Sequence, residues 1–245
     1  MKKILLTIIV LLSCTFAIAQ HDVGTWSLVP RVGVNLANVS NMQVSVLNTG
    51  AQSGESISLI KSNYLEAFVG GVDAQYQAFN KVAFSAGVFY SVQGYRFPAY
   101  ENILSDKSHV GTSDFQRNMT YLNFPVVAHF FVAKGLSVNV GAQVGFLLAA
   151  KDKYNESKFT FDKDGKIIYA TDDQGSPIYA KAVENDVKDQ LNDVDFSIPV
   201  GLSYEWNSVE IVATYNWGMS NLTKEGSEKN RNKVFMLTVG YQFDL

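Results

Sequence analysis

The chain has 245 residues, a length sufficient for one barrel or sandwich domain. Its formal net charge is −3. This charge gives no basic footprint for nucleic acid, so no nucleic-acid partner is expected. The single cysteine, Cys14, lies in the N-terminal leader. Disulfides and cysteine-based metal sites are therefore excluded from the residues that follow the leader.

The leader, residues 1–19, has the organisation of a secretory signal peptide. Lys2 and Lys3 supply the positive end, an apolar core follows, and residues 17–19 (Ala-Ile-Ala) form a small-x-small cleavage site. The alternative is a lipoprotein signal, because residues 11–14 (Leu-Leu-Ser-Cys) are similar to a lipobox. The Ala-Ile-Ala site fits ordinary cleavage better. We expect a signal peptide at 1–19 and a barrel domain at 20–245.

Eight segments after the leader alternate apolar and polar residues with a period of two, which predicts β-strands. In one of them Leu136, Val138 and Val140 share a face opposite Ser137 and Asn139. The connections between the segments are alternately long and short. The predicted strands cover about 27–37, 63–77, 82–95, 118–132, 136–148, 193–206, 209–220 and 232–245.

This alternation of connections predicts an all-β fold, an eight-stranded antiparallel up-and-down transmembrane β-barrel. All short turns then lie at one end with both termini, and the long loops lie at the outer end. Aromatic residues cluster near both strand ends of the apolar face, as at the two interfaces of a bilayer. The alternative is a soluble lipocalin-like barrel with the apolar face inward. Its polar surface should carry Lys and Glu, whereas here it carries mainly Gly, Ser, Asn and Gln.

The inward faces of the predicted strands carry a few charged side chains, which we expect to form a structural polar network in the lumen. An eight-stranded barrel is narrow and filled by side chains. Because an unpaired buried carboxylate is costly, we expect Arg31 to pair with Asp73 or Glu210. The alternative is a proton or ion path through these groups. The predicted lumen residues are Arg31, Asp73, His129, Asp195, Glu205 and Glu210.

The longest loop, about 151–192, contains a local repeat in which 162–170 is echoed by 172–180. Each unit is a glycine-bearing turn followed by a β-rich run, so the strands are expected to extend past the membrane as a hairpin or meander. Asp162 and Asp164 are similar to part of a calcium loop, but Asp173 stands where that loop needs glutamate, and turn chemistry explains them better. Residues 181–191 are either a short helix, from apolar residues at a spacing of four, or a solvated charged loop.

Catalysis has little support in the sequence. The three histidines, His21, His109 and His129, belong to no recognisable spacing motif. No constellation meets the geometric requirements of an active site. We expect a protein that is not an enzyme and has no cofactor or metal.

Four segments together resemble the PorT-like outer-membrane β-barrel family of Gram-negative bacteria. They are 121–127 (Tyr-Leu-Asn-Phe-Pro-Val-Val), 141–148, 195–201 and 215–222. The resemblance implies an eight-stranded barrel in the outer membrane but no particular activity; some relatives are implicated in protein secretion. The last strand also resembles the signal read by the barrel-assembly machinery, except that Asp244 and Leu245 follow its final aromatic residue.

The expected function is that of a non-enzymatic, monomeric outer-membrane protein whose long loops bind a protein or surface ligand, or act in adhesion. Its other partners would be membrane lipids and, during biogenesis, the barrel-assembly machinery. Loops on a rigid scaffold usually hold the recognition surface. The alternatives are an accessory subunit of a secretion or envelope complex and a soluble lipocalin-like carrier.

Overall fold

A computed structural model describes residues 21–49, 55–104, 107–225 and 229–245 of the chain. The predicted signal peptide, residues 1–19, lies outside the described residues. Within these ranges no helix is long and apolar enough to cross a membrane.

The secondary structure of the described ranges consists of fourteen strands and one short 3₁₀ helix, Lys188–Gln190. The strands are β1 (Trp26–Val39), β2 (Gln43–Thr49), β3 (Glu55–Lys61), β4 (Leu65–Phe79), β5 (Val82–Arg96), β6 (Tyr100–Ile103), β7 (His109–Ala133), β8 (Leu136–Phe161), β9 (Ile167–Tyr169), β10 (Lys181–Asp186), β11 (Val194–Trp206), β12 (Val209–Gly218), β13 (Asn232–Tyr241) and β14 (Phe243–Asp244).

Eight of these strands close into an antiparallel barrel in the order β1-β4-β5-β7-β8-β11-β12-β13, with β13 paired to β1. The predicted fold class is therefore confirmed. Of the further strands, β14 lies within the predicted last strand, and β9 lies in the repeat that was expected to extend the strands as a hairpin or meander. The strands β2, β3, β6 and β10 were not predicted. β14 pairs with β1 and continues the closing strand beyond Gln242, whereas β2, β3, β6, β9 and β10 form inside segments that were predicted as loops. Those segments are long enough to satisfy their own backbone hydrogen bonds by pairing.

The apolar stripe of each barrel strand faces outward and the polar stripe faces the lumen. Val138 and Val140 are 38% and 41% exposed, whereas Asn139 and Gln143 are 4% and 6% exposed. A lipocalin-like barrel would show the opposite pattern, so that alternative is wrong. In hydrocarbon a closed barrel also leaves no unpaired strand edge, which is why the wall is continuous.

β7 and β8 extend far beyond the wall, with 25 and 26 residues, because they remain paired as far as His109 and Phe159. β9 and β10 pair with the outer half of β8. Neither alternative for 181–191, a helix or a charged loop, describes residues 181–186, which form β10, and only Lys188–Gln190 are helical. Lys151 and Lys153 of β8 both contact Glu184 of β10, an attraction that favours cross-strand pairing there.

The two repeat units of the longest loop both contain aspartate-stabilised turns. Asp162 accepts hydrogen bonds from the backbone N–H groups of Asp164 and Lys166, both at 2.9 Å. Asp172 accepts equivalent bonds from Gln174 and Ser176, at 2.9 and 2.8 Å. This is the turn chemistry predicted for the repeat, and only the first unit continues into a strand, β9.

Candidate functional site

The lower lumen holds an ion-paired row contributed by neighbouring strands. Arg31 on β1 contacts Asp73 on β4 through Nη2, and its Nη1 lies 3.7 Å from Glu210 Oε2 on β12. The three side chains are 10%, 2% and 7% exposed. Arg31 therefore lies between two carboxylates rather than pairing with one of them.

Glycines on either side of Arg31 make this contact sterically feasible. Gly240 on β13 is the cross-strand partner of both Arg31 and Glu210, so it stands directly between them. A Cβ atom at Gly240 would lie 2.3 Å from Arg31 Cγ, which is closer than side-chain atoms can approach. On the other side Gly71 leaves room for the ring of Phe89, whose centroid is 5.2 Å from the guanidinium carbon. The row thus gains a cation–π contact as well as two ion pairs.

The row continues through Glu205 to the N-terminal end of the described chain. Glu205 on β11 is the cross-strand partner of Glu210. His21 Nε2 lies 3.1 Å from Glu205 Oε1, and His21 Nδ1 lies 3.1 Å from Asp244 Oδ1. The hydrogen bond with Glu205, first among several causes, raises the pKa of His21 above its ordinary value of 6.5. His21 therefore bridges Glu205 and Asp244.

The remaining predicted lumen residues form hydrogen bonds rather than ion pairs. His129 on β7 is 3% exposed and shares a 2.8 Å hydrogen bond with Ser85 Oγ on β5. Asp195, at the outer end of β11, accepts a 2.8 Å hydrogen bond from Ser220 Oγ. The structure therefore brings Arg31, Asp73, Glu205 and Glu210 into one row, and it leaves His129 and Asp195 as separate hydrogen-bonded groups.

His21 is a member of the row that sequence reasoning missed. It precedes β1 and belongs to no periodic segment, so no pattern in the sequence assigns it a direction. Asp244, which departs from the usual end of a closing strand, has a structural role as well. It accepts a 2.8 Å hydrogen bond from Ser27 Oγ in addition to contacting His21.

The outer mouth of the barrel is closed by an apolar cluster rather than by charges. Inward-facing residues of β5, β7 and β8 pack there against residues of the two connections that flank β11 and β12. Leu191 and Leu222, contributed by those connections, are 0% and 2% exposed. The members are Val39, Tyr95, Phe97, Met119, Tyr121, Leu147, Ala150, Val187, Leu191 and Leu222.

One ion pair accompanies the mouth cluster. Arg117 on β7 donates two hydrogen bonds of 2.6 Å to Asp152 on β8, and its guanidinium carbon lies 5.7 Å from the centroid of the Tyr95 ring. Such a bidentate pair fixes both side chains. The mouth and the lower lumen thus both contain ion-paired side chains, as expected for a structural plug.

A closed antiparallel barrel with an apolar outer surface and a plugged polar interior defines an integral outer-membrane β-barrel protein. Comparison with known families supports this class. The chain belongs to the family described as outer membrane protein beta-barrel domain, which matches residues 18–224. Its location is the cell outer membrane.

Several solved barrels resemble the chain at low identity. They include the attachment invasion locus protein Ail of Yersinia pestis (12% identity, 91% of this chain and 100% of that chain, TM-score 0.37). Neisserial surface protein A shows 11% identity over 89% of this chain and 97% of that chain, with a TM-score of 0.39. The outer membrane protease OmpT from Escherichia coli shows 11% identity over 95% of this chain and 99% of that chain, with a TM-score of 0.40. No curated protein matches the sequence. Similarity at this level says nothing about activity.

Proposed function

We propose that this protein is a non-enzymatic outer-membrane barrel that presents an outer sheet for binding or adhesion. The observation that carries the proposal is the length of β7 and β8. A strand crosses a bilayer with about 9–11 residues, whereas these strands have 25 and 26. With β6, β9 and β10 they form a paired sheet outside the membrane.

The tip of this sheet carries solvent-exposed apolar side chains. Phe161, Ile168 and Tyr179 are 49%, 52% and 66% exposed. The rings are held by one another, with Tyr169 and Tyr179 centroids 5.0 Å apart. Exposed apolar groups on a rigid support are typical of interaction sites.

The filled interior supports display over transport. An eight-stranded barrel has little spare lumen, and here the ion-paired row and the mouth cluster occupy both halves. We expect the protein to act as a monomer surrounded by membrane lipids and to be inserted by the barrel-assembly machinery.

A deletion that follows the strand register tests the proposal. Glu156 and Lys181 are cross-strand partners, so residues 157–180 can be replaced by a two-residue Asn-Gly turn that joins β8 to β10. Escherichia coli cells displaying the full chain should attach to mucin-coated or bare polystyrene above the vector level. The deletion should return attachment to the vector level while heat-modifiable gel migration stays unchanged.

Point variants separate the exposed rings from the loop as a whole. Replacing Phe161, Ile168 and Tyr179 by serine should reduce attachment, because the apolar contact surface is lost. The matched control replaces Lys163 and Lys166, in the exposed turn of the same loop, by glutamine. Full attachment by the shortened chain, or equal attachment by both sets of point variants, would contradict the proposal.

We propose further that the chain belongs to the PorT-like branch of outer-membrane barrels. The four segments that carry the resemblance fall in β7, in β8, in β11 and at the end of β12. Since some members of that branch are implicated in secretion, an accessory role in a secretion or envelope complex is the second candidate. Deleting the gene and measuring secreted protein tests it, and unchanged secretion would refute it.

A further inference from the structure

A polar cavity of about 390 Å³ lies at the outer rim of the barrel, where β1 ends and the β2–β3 hairpin leaves the wall. Its lining includes two lysines, Lys61 at the end of β3 and Lys233 at the start of β13. Lys233 is the cross-strand partner of Asn38, and Lys61 is the partner of Gln43. The strand register therefore fixes both lysines at the base of the hairpin.

The walls of the cavity are held by hydrogen bonds. Ser62 Oγ donates to Asn38 Oδ1 at 2.7 Å, and Asn38 Nδ2 donates back to the Ser62 carbonyl at 3.3 Å. On the opposite side the backbone N–H of Arg231 donates to Ser40 Oγ at 2.9 Å. A site with fixed walls loses little side-chain entropy when it binds a ligand.

Among the described residues, those that line the cavity carry positive charge. Its lining contains no carboxylate. Among the ion pairs found in the described ranges, none includes Lys61 or Lys233. The chain as a whole has a net charge of −3. Two lysines that form no ion pair with the described residues match the charge of a phosphate group.

The position of the cavity along the membrane normal indicates the source of that phosphate. Trp217, the cross-strand partner of Lys233, is 58% exposed on the lipid-facing surface, and Tyr64, which follows the hairpin, is 48% exposed. Aromatic residues in this position lie at the level of the lipid headgroups. The two lysines therefore stand where the phosphates of outer-leaflet lipids lie, rather than in the lumen or at the loop tips.

We propose that the cavity between Lys61 and Lys233 binds the phosphorylated headgroup of an outer-leaflet glycolipid. Basic pockets at membrane surfaces bind anionic headgroups in this way, and each cation near the surface contributes about fivefold in affinity. Occupancy would also tie the β2–β3 hairpin to the membrane surface.

The test measures lipid retention by the full chain in detergent micelles, using native mass spectrometry. Diphosphorylated lipid A is the probe, and its dephosphorylated counterpart is the comparison. The wild type should retain the diphosphorylated form preferentially. The double variant Lys61→Gln/Lys233→Gln should lose roughly 25-fold in apparent affinity, as the product of two fivefold effects. The single variants should each lose about fivefold.

Two controls make the result decisive. Lys163→Gln/Lys166→Gln removes the same charge from an exposed loop turn and should leave retention unchanged. Lys61→Arg/Lys233→Arg keeps the charge and should retain the lipid, with normal heat-modifiable migration showing that it is folded. Equal retention of both lipids, or no effect of the glutamine variants, overturns the proposal. Displacement of the lipid by millimolar inorganic phosphate overturns the lipid source and identifies a free-phosphate site.

Discussion

Among the described side chains of the row, Arg31 carries the only positive charge between Asp73 and Glu210. Removing it is therefore the sharpest test of whether the ion-paired row stabilises the barrel. Arg31→Met keeps much of the side-chain length but leaves two carboxylates, 2% and 7% exposed, without a cation between them. Breaking a buried ion pair by removing one partner costs about 3–5 kcal/mol. We expect the free energy of unfolding to fall by about that amount.

The matched control makes the same substitution in an exposed ion pair. Arg96 and Glu66 lie 3.1 Å apart but are 50% and 57% exposed, so Arg96→Met should cost about 0–1 kcal/mol. The triple variant Arg31→Met/Asp73→Asn/Glu210→Gln removes the whole charge set and should recover most of the stability lost by Arg31→Met, because no unpaired charge remains buried.

The assay is urea-induced unfolding in lipid vesicles, followed by tryptophan fluorescence. The three tryptophans, Trp26, Trp206 and Trp217, are 52%, 66% and 58% exposed on the outer surface, so their emission reports transfer from lipid to water. The reasoning is refuted if Arg31→Met and Arg96→Met differ by less than about 1 kcal/mol. It is refuted equally if the triple variant is as unstable as Arg31→Met alone.

Two further predictions concern the two ends of the barrel. Because the pKa of His21 is raised in the folded state by its bond with Glu205, its contribution to stability is full below pH 6.5 and is lost as pH rises through the raised pKa. The melting temperature of the wild type should therefore fall between pH 6 and pH 8 more steeply than that of His21→Asn. Parallel curves of melting temperature against pH would contradict this prediction. At the mouth, Leu191→Ala should lower the local free energy of unfolding by about 2–5 kcal/mol. Proteolysis near Leu222 should therefore become faster. The control Ile168→Ala changes a residue that is 52% exposed and should not speed this proteolysis. Equal proteolysis of the two variants would show that the cluster does not hold the connections.

The barrel strands were predictable because a bilayer constrains their sequence at every second residue. A predicted strand at 82–95 is observed as Val82–Arg96, and one at 193–206 as Val194–Trp206. A slip of one residue would turn the whole apolar stripe inward, so the pattern is strict wherever lipid covers one face. The sequence therefore predicts both the strands and their orientation.

The outer sheet was not predictable in the same way, because water covers both of its faces. Residues 109–117 of β7 have no regular alternation, yet they pair with β8 through backbone hydrogen bonds. An irregularity after Thr120 adds one residue to β8, which turns Ala150 and Asp152 inward. The helix alternative for 181–191 failed for a different reason. Val187 and Leu191 are buried in the mouth cluster from a segment with only one short 3₁₀ turn, so their spacing of four reports packing and not helical periodicity.

The two candidate partners of Arg31, Asp73 and Glu210, were predicted from the order of the strands, and Arg31 contacts both of them. Which acid Arg31 meets depends on the register of β12, β13 and β1, and no local pattern specifies that register. Gly240 is important here, because a Cβ atom at this position would collide with the Arg31 side chain as it lies beside Glu210. Glu205 and Glu210 are cross-strand partners, with Arg31 beside Glu210 and His21 beside Glu205. A residue outside the barrel strands thus contacts an interior acid, which connects the N-terminal segment to the polar interior of the wall.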